Sequence, residues 1–218
     1  MGKDLFWNFY NNDAAPKLAH REGTFRKLFE YLDNLNGPVT IIETGCCRTA
    51  GNWGGDGQST ILFDKYITYR DEASICYTVD IDPAAVDNCA KLVSSRTQVK
   101  LGDSVRFLSD LSKIFKVEGK TISFAYLDSF DVDWINWQPS AIHHLKELVA
   151  LMPIINNETL VVVDDCPISG NFIANSDNQL QPFGNWTVGG KGRLISDYAD
   201  AVGAQRIFSS YQAGWVGF

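Results

Sequence analysis

Short apolar runs and amphipathic stretches alternate along most of the chain. The apolar runs predict strands over 39–43, 75–80, 97–101, 122–128 and 160–164. Segments with apolar residues at intervals of three or four predict helices over 21–36, 58–70, 83–95, 103–116 and 140–152. This alternation is typical of βαβ units, in which helices cover both faces of a parallel sheet. We therefore predict an α/β chain with a Rossmann-like, doubly wound sheet.

The two ends of the chain depart from this alternation. Residues 1–20 are rich in aromatic and amide side chains and are predicted to form an N-terminal arm. Residues 167–190 have no periodic apolar face, so we expect an irregular loop of the kind that covers a substrate. A helix over 191–202 and a hairpin formed by 205–210 and 214–218 would close a single domain over 1–218.

Acidic residues collect where the predicted strands end. These positions are Glu43, Asp80, Asp103, Asp128 and the pair Asp164-Asp165. Ligands of parallel sheets bind at the carboxyl ends of the strands. Five polar strand ends therefore predict one common crevice.

The first strand end combines an acid with a glycine. Gly45 follows Glu43-Thr44 and would let the backbone approach a ligand closely, and Ser59 can cap the next helix. An ordinary strand–turn–helix explains the same residues equally well. No compact G-x-G-x-x-G follows this strand, which disfavours a dinucleotide site.

The second and third strand ends can each bind a ligand or cap a helix. Asp80 can accept hydrogen bonds from both hydroxyls of a ribose, whereas Asp82 before Pro83 is predicted to be a helix N-cap. Asp103 can accept from an adenine amino group or cap the helix that begins near Ser104. The sequence does not separate the two roles of Asp103.

Three carboxylates are expected at the next two strand ends. Asp128, Asp164 and Asp165 would repel one another, and a divalent cation such as Mg²⁺ would relieve the repulsion. In the alternative interpretation, the three acids are exposed, and they are hydrated or cap helices. The residues favour neither.

The composition argues against some classes of partner and indicates a cellular compartment. The net charge of −7 argues against a general nucleic-acid or anionic-membrane binder. No apolar run approaches the roughly 18 residues of a membrane span, and the N-terminus has no apolar signal core. The five cysteines form no CxxC, so we expect reduced, packed thiols in a cytoplasmic protein.

The order and spacing of these segments resemble class I S-adenosylmethionine-dependent methyltransferases over about 38–166. E-T-G, V-D-I-D-P and G-D-S are similar to the family's three cofactor motifs. L-D-S and V-D-D are similar to the metal-binding strand ends of catechol and macrocin O-methyltransferases. The resemblance implies a seven-stranded sheet with an antiparallel C-terminal strand.

The resemblance also implies a set of site residues. The cofactor would be bound by Glu43, Thr44, Gly45, Ser59, Asp80, Asp103, Ser104 and Asp128. The metal ligands would be Asp128, Asp164 and Asp165.

The general base differs from that of the catechol enzymes. Those enzymes carry a lysine three residues after the first metal aspartate, where this chain has Asp131, which argues against a catechol substrate. His143 and His144, in the first turn of the helix over 140–152, are the candidate bases. By helical period, His144 lies at the edge of the core-facing side and His143 points away with Glu147. In the opposite interpretation, His143 lies on the surface and His144 is packed in the protein.

These observations favour an O-methyltransferase acting on a small hydroxylated molecule, with or without a divalent metal. A nicotinamide-dependent oxidoreductase on a similar sheet is one alternative, and a non-catalytic cofactor-binding protein is another. The expected partner is a small-molecule substrate, with no nucleic acid and no membrane. A homodimer is compatible with the sequence.

Overall fold

The computed structural model describes residues 2–55 and 58–218 and contains two β-sheets. The strands are β1 Thr40–Thr44, β2 Ile75–Asp80, β3 Thr97–Leu101, β4 Phe124–Leu127, β5 Leu160–Val163, β6 Ile168–Ala174, β7 Leu180–Val188, β8 Gln205–Ser209 and β9 Ala213–Val216. The α-helices are α1 Gly2–Phe9, α2 Glu22–Asn34, α3 Ser59–Arg70, α4 Pro83–Leu92, α5 Ser104–Glu118, α6 Gln138–Leu151 and α7 Arg193–Val202. Every strand and helix predicted between 21 and 166 is present, with its ends shifted by a few residues.

The main sheet has seven strands in the order β3-β2-β1-β4-β5-β9-β8. Neighbours among β1 to β5 pair in parallel, and β9 runs antiparallel to both β5 and β8. The predicted doubly wound sheet with an antiparallel C-terminal strand is therefore confirmed. The strand order reverses between β1 and β4, where such sheets open a crevice for ligands.

Alternate residues of the central strands face two separate cores. Ile41 points into a core shared with α1, α2 and α3, whereas Ile42 points into a core shared with α5, α6 and α7. In the first core, the Phe25 and Tyr126 rings stack with their centroids 5.7 Å apart. This two-sided burial explains why the strands appear in the sequence as continuous apolar runs.

Two segments differ from their predicted local structure. The N-terminal arm is helical, with α1 followed by a π-helical turn over Tyr10–Ala14 and two 3₁₀ turns. The irregular loop predicted over 167–190 is wrong, because β6 and β7 form an antiparallel hairpin there. A register shift between Ser169 and Asn171 interrupts the pairing of this hairpin, and its amide-rich sequence hides the strand period.

The cysteines are packed as expected. All five are free thiols and buried, and Cys46, Cys47 and Cys89 share a small apolar cluster with α4. Within the described parts of the chain, no helix is long and apolar enough to cross a membrane.

Candidate functional site

Two adjoining cavities open at the carboxyl ends of the parallel strands. The first, of about 230 Å³, lies over the ends of β1, β4 and β5, and the second, of about 290 Å³, lies over the ends of β2 and β3. Asp80, Ile81 and Ser129 line both. The common crevice predicted from the polar strand ends is therefore present.

Gly45 shapes the floor of the first cavity. Its φ is +81°, a conformation that favours glycine, and its N–H donates to the Val79 carbonyl at 2.8 Å. A Cβ at this position would lie 2.5 Å from the Asp128 carbonyl oxygen. The chain thus needs glycine here for β1 to end against the Asp128 backbone.

Glu43 and Thr44 do not reach the crevice. The Glu43 side chain is fully buried and accepts hydrogen bonds from Ser59 Oγ at 2.6 Å and Thr60 Oγ1 at 2.7 Å. Burial raises the pKa of Glu43 to about 7, against the lowering effect of these hydrogen bonds. Glu43 therefore ties the end of β1 to the start of α3, and Ser59 lines the cavity in its place.

Asp80 lies where the two cavities meet. One carboxylate oxygen accepts from the Cys46 N–H at 3.1 Å, and the other accepts from the Asp82 N–H at 2.9 Å. Each oxygen retains a lone pair for a ligand. Asp82 is the N-cap of α4, as predicted, because its side chain accepts from the Ala84 N–H at 2.9 Å.

Asp103 and Ser104 form part of the wall of the second cavity. Asp103 is the N-cap of α5 and accepts from the Arg106 N–H at 2.9 Å through one oxygen, so its capping role is confirmed. Ser104 Oγ lies 2.9 Å from His143 Nε2 and 3.3 Å from Ser129 Oγ.

A buried glutamate organises the wall beside these residues. Glu147 is fully buried, accepts from Ser129 Oγ at 2.6 Å and from Thr44 Oγ1 at 3.1 Å, and lies 3.4 Å from His143 Nε2. The prediction that His143 points away with Glu147 is wrong, because hydroxyl groups at the strand ends satisfy the carboxylate inside the protein. His143 lines the second cavity.

His144 is packed and faces neither cavity. It is fully buried, and its Nδ1 lies 2.7 Å from the Ser140 carbonyl oxygen. Burial lowers the pKa of His144 to about 4, so the ring is neutral near pH 7. The structure thus places His144 away from any substrate hydroxyl in the crevice and gives it no access as a general base.

Asp128, Asp164 and Asp165 lie together, and two cationic side chains form ion pairs with them. Lys191 Nζ forms an ion pair with Asp128 Oδ1 and lies 2.9 Å from Asp165 Oδ2. Arg21 donates from Nε to Asp164 at 2.9 Å and from a terminal nitrogen to Asp165 at 3.4 Å.

The carboxylates of this group favour the charged form of Lys191. Burial by itself would lower the pKa of Lys191, but Asp128 and Asp165 raise it well above its usual value. Lys191 is 1% exposed and Arg21 is 5% exposed, so both cations are built into the protein interior.

The residues of this group do not fit the predicted metal site. An ammonium group occupies the position between Asp128 and Asp165, and Asp164 is directed to Arg21 instead of to a shared centre. Across residues 2–55 and 58–218, no three His, Cys, Asp or Glu side chains are arranged to hold a metal ion. The predicted electrostatic repulsion exists, and the protein's own cations relieve it.

Neither Arg21 nor Lys191 was predicted from the sequence as a site residue. Arg21 precedes α2, and Lys191 lies in a 3₁₀ turn directly before α7. The one local signal is the run Val188-Gly189-Gly190-Lys191-Gly192, in which three glycines surround a lysine.

Comparison with solved structures identifies the architecture. A complex of MycE methyltransferase from the mycinamycin biosynthetic pathway with Mg, SAH and mycinamycin VI aligns with a TM-score of 0.55 and 14% identity. The alignment covers 89% of this chain and 49% of that one. This chain and the MycE chain share the Rossmann-like fold.

Other methyltransferase structures align less closely. A DhpI–SAH complex gives a TM-score of 0.48 at 9% identity over 97% of this chain and 93% of that one. A SAM-dependent methyltransferase from Anabaena variabilis gives 0.44 at 12% identity over 76% and 61%. This chain spans 31% and 49% of the lengths of the two MycE chains that it matches. No family profile matches the sequence, and no curated protein does.

Proposed function

We propose that the chain binds S-adenosylmethionine in the crevice and transfers its methyl group to a hydroxyl oxygen of a small molecule. The position of Asp80 between the two cavities carries this proposal, because a ribose joins the two ends of the cofactor. The bound cofactor would supply an electrophilic methyl group on a sulfonium ion.

The chemistry of each cavity suits one end of S-adenosylmethionine. In the second cavity, Val79, Ile81 and Phe130 offer apolar contact to an adenine, and Asp103 offers a carboxylate oxygen. In the first cavity, Gly45 offers backbone and Asp128 offers a carboxylate to the zwitterionic methionine end. MycE, whose solved complex contains SAH, supports the proposal at the level of the fold.

Charge in the first cavity favours a sulfonium cofactor over a nicotinamide dinucleotide. Five aspartates and three cationic side chains line it, which leaves an excess of negative charge against a pyrophosphate. This excess of negative charge favours a positively charged ligand.

The role of the protein in methyl transfer would be alignment and exclusion of water. In an in-line displacement, the methyl–sulfur bond would break as the methyl–oxygen bond forms, and the hydroxyl proton would pass to a carboxylate of the first cavity. This needs the acceptor oxygen held close to the methyl carbon, and much of the acceleration comes from such positioning. The cationic side chains of Arg21 and Lys191 line the first cavity, beside the expected methyl position. Their N–H groups can donate hydrogen bonds to the lone pairs of an oxygen atom, which supports an oxygen as the methyl acceptor.

Calorimetry with Asp80→Asn tests the cofactor. The loss of a charge-assisted acceptor should weaken S-adenosylmethionine binding by roughly ten- to a hundredfold. Asp87→Asn, on the exposed side of α4, removes the same charge away from the crevice and should leave the affinity unchanged. Equal affinity in the Asp80 variant, or binding of NAD⁺ in preference to S-adenosylmethionine, would refute the assignment.

Turnover separates a methyltransferase from a non-catalytic cofactor-binding protein. The wild-type protein should transfer a labelled methyl group from S-adenosylmethionine to at least one member of a panel of small hydroxylated compounds. Tight cofactor binding with no transfer to any panel member would favour the non-catalytic alternative.

A further inference from the structure

The acidic centre formed by Asp128, Asp164 and Asp165 contains a buried lysine. Lys191 Nζ pairs with Asp128 and Asp165 while only 1% of the residue is exposed. An ammonium group has three N–H donors, and these two carboxylates account for two of them. Lys191 also lines the first cavity.

The backbone around Lys191 is built for this placement. A Cβ at Gly189 would lie 2.6 Å from the Pro167 carbonyl oxygen, and one at Gly192 would lie 2.5 Å from Cys166 Sγ. A Cβ at Gly190, whose φ is +53°, would collide with the Asp165 carbonyl oxygen. The lysine is therefore held in a turn whose three glycines let it press against the chain that follows β5.

Backbone hydrogen bonds fix this turn to the same residues. The Lys191 N–H donates to the Asp165 carbonyl at 3.2 Å, and the Gly189 N–H donates to the Pro167 carbonyl at 2.9 Å. Both the main chain and the side chain of Lys191 thus contact Asp165. A movement of the ammonium out of the centre would have to break ion pairs in a buried environment, which is costly.

The third carboxylate, that of Asp164, is bound by Arg21. Arg21 binds both oxygens of Asp164, at 2.9 and 3.2 Å, and its guanidinium lies 4.7 Å from the centre of the Tyr211 ring. Arg21 therefore draws Asp164 away from the position between Asp128 and Asp165.

We propose that Lys191 is the resident cation of this centre and occupies the position at which a divalent metal ion would otherwise bind. The ammonium supplies positive charge between Asp128 and Asp165, and the glycine turn makes it a permanent part of the site. The next step rests on the proposed function: the third N–H of Lys191 donates to the acceptor oxygen and positions it. Because Lys191 takes the place of a metal ion, methyl transfer continues in the presence of a chelator. The metal-binding part of the inference is independent of methyl transfer.

Binding of Mn²⁺, measured by electron paramagnetic resonance, tests this inference without a substrate. Wild-type protein should leave the free-ion signal unchanged. Lys191→Ala removes the ammonium and opens the space, so this variant should bind a single Mn²⁺, and the added change Asp128→Asn should abolish that binding. Lys191→Arg keeps a cation and should behave as wild type, and Lys146→Ala removes an exposed lysine of α6 as the charge-matched control.

Two results would overturn the inference. One is wild-type binding of Mn²⁺ that Asp128→Asn abolishes, and the other is a folded Lys191→Ala protein that binds none. Circular dichroism establishes whether the alanine variant folds, and the wild-type measurement decides the question if it does not. Wild-type protein without methyl-transfer activity but with the expected Mn²⁺ results would refute the proposed function and leave the role of Lys191 intact.

Discussion

Replacement of Glu43 by glutamine should change how stability depends on pH. The carboxyl group is fully buried, and burial raises its pKa from 4.5 to about 7 in the folded protein. The folded state thus binds the Glu43 proton more tightly than the unfolded state does. The stabilising contribution is fully present below pH 4.5 and is lost as the pH rises through about 7.

The size of the effect follows from the difference between the two pKa values. A shift from 4.5 to about 7 corresponds to about 3 kcal/mol between the two ends of this pH range. In Glu43→Gln, the amide stays neutral, its oxygen can accept from one of the hydroxyls of Ser59 and Thr60, and its NH₂ can donate to the other. The variant should therefore match the wild type near pH 4.5 and exceed its stability by about 3 kcal/mol near pH 8.

Urea unfolding followed by circular dichroism at several pH values measures this difference. The comparison uses the change in free energy of unfolding between variant and wild type, so contributions from other ionisable groups cancel where they are independent of Glu43. Glu72→Gln, on the exposed loop before β2, is the matched control and should give a profile parallel to that of the wild type. A parallel profile for Glu43→Gln would refute the assignment of a raised pKa to this buried carboxyl.

Two further predictions concern His144 and the β6–β7 hairpin. The pKa of His144 is lowered by burial to about 4, so its contribution is present above pH 6.5 and is lost as the pH falls through about 4. Between pH 6.5 and pH 4, the free energy of unfolding of the wild type should therefore fall by about 3 kcal/mol more than that of His144→Gln, as measured by urea unfolding. Equal losses would contradict a buried neutral ring. The hairpin pairs only with itself among the described strands, and an isolated hairpin is marginally stable. Its amides should exchange with deuterium faster than those of β4 and β5, and should slow when a substrate binds; equal protection in the free protein would argue against a lid role.

The fold could be predicted from the sequence because burial on both faces leaves a local signal. Residues 160–163 form an unbroken apolar run, and in the structure Val162 faces one core while Val163 faces the other. The hairpin over 168–188 left no such signal, because it lies outside the main sheet and need not be apolar. The local apolar pattern therefore predicted the strands and helices between 21 and 166. It failed for the hairpin and for α1, although α1 packs in the first core.

The site was predictable to a lesser extent, because its polar contacts join distant parts of the chain. The strand-end acids could be located, since topology brings the carboxyl ends of parallel strands together. Their roles could not, because Glu43 turns inward to Ser59 and Thr60 whereas Asp80 faces the crevice. The helical period of α6 likewise assigned Glu147 to the surface, since no periodic rule includes a hydroxyl partner supplied by another strand.

The acidic centre shows why electrostatics predicted a cation but not its identity. Three carboxylates at neighbouring strand ends require positive charge, and either a divalent metal ion or a buried ammonium together with a guanidinium supplies two positive charges. Which of the two is used depends on whether a backbone segment can bring a lysine to the gap. The glycines at 189, 190 and 192 let the turn before α7 approach the chain after β5 closely enough to do so. In a sequence whose aspartates resemble metal ligands, a lysine flanked by glycines after a hairpin therefore indicates that the protein itself supplies the cation.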